Sequence, residues 1–369
     1  MSFNHKNHQL ISAVIQNPAS TAGFSKADWD ILIRQARRAN ILGMLFYFLR
    51  EKKIKQAVPA FAFRHFQAQA NLDENYRDAV KLECQRVSDI LASINTPLVV
   101  LKGAAYVVAD LPVSHGRLFS DIDILVPKSG IAEVEQILKL HGWLAGQIDA
   151  YDDKYYRQWM HEIPPLHQIK RGTSMDVHHA ILPETAVLKP DSALLLQAAV
   201  PVSGYENIHV LAPVDMVLHS MTHLFHEGEF DHGIRDLIDL DGLLKYYAER
   251  DTDFWPCLLA RAKTLDLSVP LFYGLRYLKR LLNSPVPGHV MAESEEIIGG
   301  RKKIMDILFD RALLPDHKSC DDWFTPVARW CLYVRSHHLR MPAYLLIPHL
   351  LRKAYMKRVA KNRSPDDKI

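Results

Sequence analysis

Two carboxylates interrupt an apolar run at Phe119-Ser120-Asp121-Ile122-Asp123-Ile124-Leu125-Val126. Side chains alternate along a strand, so Asp121 and Asp123 share one face, roughly 7 Å apart at the backbone, while Ile122 and Ile124 turn to the other. Like charges this close destabilise each other unless a proton or cation lies between them. Carboxylate oxygens in pairs suit Mg²⁺ or Mn²⁺, so the pair reads as a metal clamp; a solvated edge strand has the same spacing. Context separates the two readings. Lys102-Gly103 closes an earlier strand, and a later strand carries Asp176 in Met175-Asp176-Val177-His178-His179, so that three carboxylates can converge on one sheet surface.

Histidines form a second set. His178 shares a face with Asp176 and His179 points away, which leaves His178 either as a support for the acids or as a structural residue. Among the 19 histidines of the chain, His219, His223, His226 and His232 are the densest group. His219 and His223 stand four apart on an expected helix, a spacing that can hold zinc if Asp236 or Asp239 adds a ligand. Arg235 and Asp239 can also pair with each other at helical spacing.

The elements that must position these groups follow from periodicity. From about His8 to Ile94 apolar residues recur at helical intervals, with Leu72, Tyr76, Ala79, Val87, Ile90, Leu91 and Ile94 on one expected face. Asn95-Thr96-Pro97 ends that helix, and Leu98-Val99-Val100-Leu101 follows as a buried strand. A short helix from Ala104 to Ala109, a loop through Ser114, His115, Gly116 and Arg117, the Asp121-Asp123 strand and the helix IAEVEQILKLHGW, capped at Gly142, come next. PLHQIK and SMDVHHAIL flank Arg171-Gly172-Thr173 as a hairpin in the same sheet. From about Asp191 onward the pattern is helical again, and it ends in a basic stretch of Arg352, Lys353, Lys357, Arg358, Lys361 and Arg363 that reads as a solvated helix face before a binder of RNA phosphates or of an anionic membrane surface. The expected fold is α+β: a small mixed sheet at 96–185, between helical regions at 1–95 and 186–369.

LKGAA, then GRLFSDIDILV, a helix ending in HGW, and MDVHH together resemble the uncharacterised nucleotidyltransferase family of the polymerase-β-like superfamily, from about Leu98 to Ile181, with further likeness around His219 to Leu244. The resemblance implies that Asp121, Asp123 and Asp176 are the catalytic carboxylates and metal ligands, with Asp176 as general base. It also places Lys102 and Gly103 at the phosphate-binding turn, although the interval from Gly103 to Asp121 is longer than in the minimal superfamily pattern. Lys102 and Arg117 can neutralise charge on phosphoryl oxygens; a strand-end lysine and a loop salt bridge are the simpler roles for the same residues. The implied activity is transfer of NMP from an NTP to an acceptor with release of pyrophosphate, assisted by Mg²⁺ or Mn²⁺. RNA, a protein or a small molecule all suit as acceptor. In the same family, histidines in the following helical region can line the substrate cleft.

Bulk properties narrow the field without choosing within it. The chain has 369 residues, 48% hydrophobic and 24% charged, and Lys plus Arg (45) barely exceed Asp plus Glu (42), which argues against a general nucleic-acid coat. Cys84, Cys257, Cys320 and Cys331 lie far apart, without a CxxC pair, so neither a zinc ribbon nor a disulfide framework is expected. With no signal-peptide pattern and no apolar run near the ~20 residues that span a bilayer, the expectation is a cytoplasmic protein. Two rival readings stand beside the transferase. One is a non-catalytic nucleotide- or partner-binding protein; the other is a metal phosphohydrolase centred on His219, His223 and Asp176.

Overall fold

Ser25 opens helix α1, Lys26–Arg38, through a reciprocal cap in which its hydroxyl accepts from Asp28 N–H and the Asp28 carboxylate accepts from Ser25 N–H. Two backbone donors that a helix start leaves bare are thereby satisfied. Helices α2, Leu42–Glu51, and α3, Ala60–Ala92, pack with it to form the N-terminal helical region. The structure, a computed structural model, describes residues 9–53, 58–146, 149–226, 228–296, 302–348 and 352.

The buried stripe of α3 runs through Phe66, Ala70, Asp73, Val80, Cys84, Val87 and Leu91. Leu72 and Ala79, expected on that stripe, face solvent instead, Leu72 with 60% of its surface exposed. The stripe passes through Asp73 because its carboxylate accepts the Gly116 N–H at 2.7 Å. Apolar periodicity is blind to a buried acid that has found a partner.

The sheet follows. In chain order come strand β1, Leu98–Val100; helix α4, Lys102–Val108; strand β2, Asp121–Leu125; helix α5, Ile131–Leu140; strand β3, Trp143–Ala145; helix α6, Ala150–Trp159; and strands β4, Leu166–Gln168, and β5, Ser174–His178. Strands β6, Val200–Pro201, and β7, Ile208–Val210, complete a seven-stranded sheet of order β3-β4-β5-β2-β1-β7-β6. Pairs β2/β5 and β1/β7 are parallel and the others antiparallel, so the sheet is mixed and the fold is α+β. Gly142 follows α5 at φ +82°, a left-handed turn that leads directly into β3. Strands β4 and β5 make the expected hairpin. Helices alone were expected after Asp191, but β6 and β7 lie there; at two and three residues they are too short to show alternation.

Helices α7, Pro213–His226, α8, Gly233–Ala248, and α9, Thr325–Arg340, belong to the C-terminal helical region. Among the described residues no helix is long and apolar enough to cross a membrane. Of the basic C-terminal stretch only Arg352 is described, and it stacks 4.1 Å from the Tyr151 ring centroid beside Asp149. Lys353, Lys357, Arg358, Lys361 and Arg363 lie outside the described residues.

Candidate active site

Parallel pairing of β2 with β5 sets Asp121 beside Ser174, Asp123 beside Asp176 and Leu125 beside His178. Alternation then does what the residue pattern predicts: Ile122 and Ile124 are buried in the core, while Asp121, Asp123, Asp176 and His178 reach one cavity. Ligand atoms of Asp123, Asp176 and His178 lie within 4.8 Å of one another. Asp121 lines the same cavity outside that group and accepts from Ser120 Oγ at 3.2 Å.

Lys102 comes from the junction of β1 and α4. Its backbone is left-handed, φ +49°, so the strand turns into the helix without a linker, and Leu101 N–H still donates to Asp123 O at 2.9 Å. The Lys102 ammonium donates to Asp123 Oδ1 at 2.8 Å. His178 Nε2 lies 2.9 Å from the same oxygen. Burial pushes the Asp123 carboxyl up, but Lys102 and His178 outweigh it and hold this acid well below the usual carboxylate range. At Asp176 burial first, then the charges of Asp123 and Glu162, push the carboxyl up to about 7. Two acids side by side on one face are thus held in opposite electrostatic states.

Arg117 reaches the cavity from the loop between α4 and β2, and that loop is held by the N-terminal helices. Asn40 Nδ2 donates to Leu118 O at 3.0 Å, the Tyr76 hydroxyl donates to Phe119 O, and Asp73 accepts from Gly116. Gly116, at φ +76°, crosses Gly43 so closely that a Cβ would lie 2.2 Å from the Gly43 carbonyl carbon; only two glycines permit that crossing. Arg117 itself is buried and donates from Nε to Asp239 Oδ2 at 2.5 Å. Asp239 therefore pairs across the fold with Arg117, while Arg235, its expected helical partner, pairs with Asp236 at 2.9 Å. Arg117 Nη1 is buried without a hydrogen bond, and a Cβ on Gly103 would lie 2.1 Å from it. The missing side chain at Gly103 lets the guanidinium lie against the backbone there.

Sequence reasoning missed His161 and Glu162, which stand in a segment without a motif. Glu162 bridges to His178 as an isolated antiparallel pair, and the His161 ring stacks on His178 at 5.2 Å. The ligand atoms of His161, Glu162 and His178 also lie within 4.8 Å of one another. On α7 the spacing places His223 at the cavity and buries His219 and His226. Burial and then Lys102 hold His219 well below its ordinary value. Burial, Arg335 and Arg340 bring His226 down to about 4. Among the described residues, His219, His223, His226 and His232 belong to no three-ligand group, with or without Asp236 and Asp239.

The cavity measures about 830 Å³, within the size range of small-molecule sites. Its acids, Asp121, Asp123, Glu162, Asp176, Glu229, Asp231, Asp236 and Asp239, outnumber its cations Lys102, Arg117, Arg235 and Arg340. An excess of acids favours a polyphosphate that arrives with further positive charge. Asp123, Asp176 and His178 form a donor group that could hold a metal ion.

A family model with the description "uncharacterised nucleotidyltransferase" matches residues 25–283, from the cap of α1 through the sheet and into the C-terminal helices. No curated protein matches the chain.

Proposed function

The chain belongs to the uncharacterised nucleotidyltransferase family, and on that premise we propose that it transfers a nucleoside monophosphate from an NTP to an acceptor hydroxyl, using Mg²⁺ or Mn²⁺ held by Asp121, Asp123 and Asp176. The observation that carries this reading is the register that sets Asp123 beside Asp176 with the Lys102 ammonium 2.8 Å from Asp123. When bound, the cation offsets phosphate charge and makes the acceptor hydroxyl more acidic.

The chain's own groups have distinct work. Asp176 takes the acceptor proton; burial and the charges of Asp123 and Glu162 push its carboxyl up to about 7 without metal, and a bound cation would favour the ionised form that acts as base. The acceptor oxygen bonds to the α-phosphorus, the bond from that phosphorus to the bridging oxygen breaks, and its electron pair leaves with pyrophosphate. Lys102 and Arg117 act on the phosphate side, where the unbonded Arg117 Nη1 beside Gly103 can donate to a phosphoryl oxygen. The C-terminal helices, through His223, Arg235 and Arg340, bound the acceptor side.

The test incubates the protein with each α-labelled NTP, Mg²⁺ or Mn²⁺ and candidate acceptors drawn from RNA, protein and small molecules. Label should move to one acceptor class with pyrophosphate release. Asp121→Asn and Asp123→Asn should each lower the rate about 10³-fold, the equivalent of roughly 4 kcal/mol of transition-state charge stabilisation. Nucleotide binding with no pyrophosphate from any acceptor would support the non-catalytic rival, and full activity in both variants would remove the carboxylates from the reaction.

A further inference from the structure

We infer that His161, Glu162 and His178 form a second metal site, beside the carboxylate cluster, that takes a nitrogen-preferring divalent ion such as Zn²⁺ or Co²⁺. Two imidazoles and one carboxylate are a donor set such ions favour and Mg²⁺ does not.

Backbone pairing builds the site. His179 N–H donates to His161 O at 2.8 Å, and Ile163 N–H donates to Val177 O at 3.1 Å, so residues 161–163 run as a short antiparallel addition to β5. That pairing sets Glu162 beside His178 and stacks the two rings. Ligand atoms from the three side chains then fall within 4.8 Å of one another.

Hydrogen-bond bookkeeping at His178 asks for a cation. A neutral imidazole carries one N–H. Its Nε2 lies 2.9 Å from Asp123 Oδ1 and its Nδ1 lies 3.3 Å from Glu162 Oε2. Whichever nitrogen holds the hydrogen, the other presents a lone pair to a carboxylate oxygen. A metal ion between Nδ1 and Glu162 removes that opposition and leaves Nε2–H to donate to Asp123, the arrangement in which a carboxylate orients a metal-bound histidine. His161 supplies the independent observation: its Nδ1 is buried and makes no hydrogen bond, which a neutral ring nitrogen tolerates best as a metal ligand. His178 thus serves both clusters, one through each nitrogen.

The test titrates chelator-treated full-length protein with Co²⁺ and reads visible d–d absorption, with elemental analysis for stoichiometry. The expected result is one equivalent bound with imidazole-type absorption, not displaced by excess Mg²⁺. His161→Ala and Glu162→Gln should each weaken Co²⁺ binding tenfold or more, and Asp121→Asn should leave it unchanged. Asp123→Asn, which takes away the carboxylate that orients His178, should cost about 10–100-fold. Glu162→Gln preserves size, so it reports even if His161→Ala misfolds. Absence of Co²⁺ binding would overturn the site; displacement by Mg²⁺, or unchanged affinity in both His161→Ala and Glu162→Gln, would overturn it equally. None of these readouts depends on nucleotide turnover.

Discussion

The histidines of α7 and those beside β5 border the same region, yet they face opposite surroundings. His226 is buried near Arg335 and Arg340, and Lys102 acts on His219. His178 has a carboxylate at each ring nitrogen. The α7 group has the spacing that looks like a zinc site, whereas the β5 group is scattered in sequence and looks like nothing. Burial first, then nearby cations, hold His219 and His226 below the ordinary imidazole value, whereas the two carboxylates at His178 make that ring the one placed to meet a cation.

Removing the lysine that underlies the acidic side should have the largest effect on this contrast. Lys102→Met leaves Asp123 buried without its ammonium, and breaking one half of a buried pair costs about 3–5 kcal/mol. Urea unfolding of the metal-free variant should show a loss in that range, partly recovered by Mg²⁺. Unchanged stability would mean that Asp123 does not depend on Lys102, and half of the contrast would go.

The basic side predicts a smaller effect, in acid. His226 is held at about 4 against an ordinary value of 6.5, so the unfolded chain takes up this proton first. Its stabilising contribution is whole above about pH 6.5 and is lost as pH falls toward 4, by about 3 kcal/mol. Unfolding free energies measured across that window should fall more steeply for the native chain than for His226→Leu. Parallel curves would show that the ring titrates freely and is not held neutral.

The smallest expected effect belongs to His223→Ala, which removes the α7 histidine that borders the cavity. Co²⁺ affinity should stay as it is in the native chain. A marked loss would join the two histidine groups into one metal site and erase the distinction between them.

Much of the acidic face is legible in the residue order. Strict alternation in β2, the glycine turn between β4 and β5, and the Asp176 strand together predict which carboxylates share a surface, because a strand has only two faces. Other contacts are hidden for definite reasons. Asp73 breaks the apolar stripe of α3 while lying on it. Arg117 meets Asp239 across 122 positions of chain, where local spacing carries no information. His161 and Glu162 owe their place to a single bridge onto β5, too short to leave a periodic trace.

The crossing of Gly43 and Gly116 has a consequence for inheritance. Where two backbones touch with no side chain between them, a Cβ on either strikes the backbone of the other, so both positions must stay glycine while the crossing stands. The loop that delivers Arg117 cannot be grafted onto foreign helices as an interchangeable part. Helices α2 and α3 travel with it, and a transplant cut just ahead of β1 would leave behind the surface against which that loop is shaped.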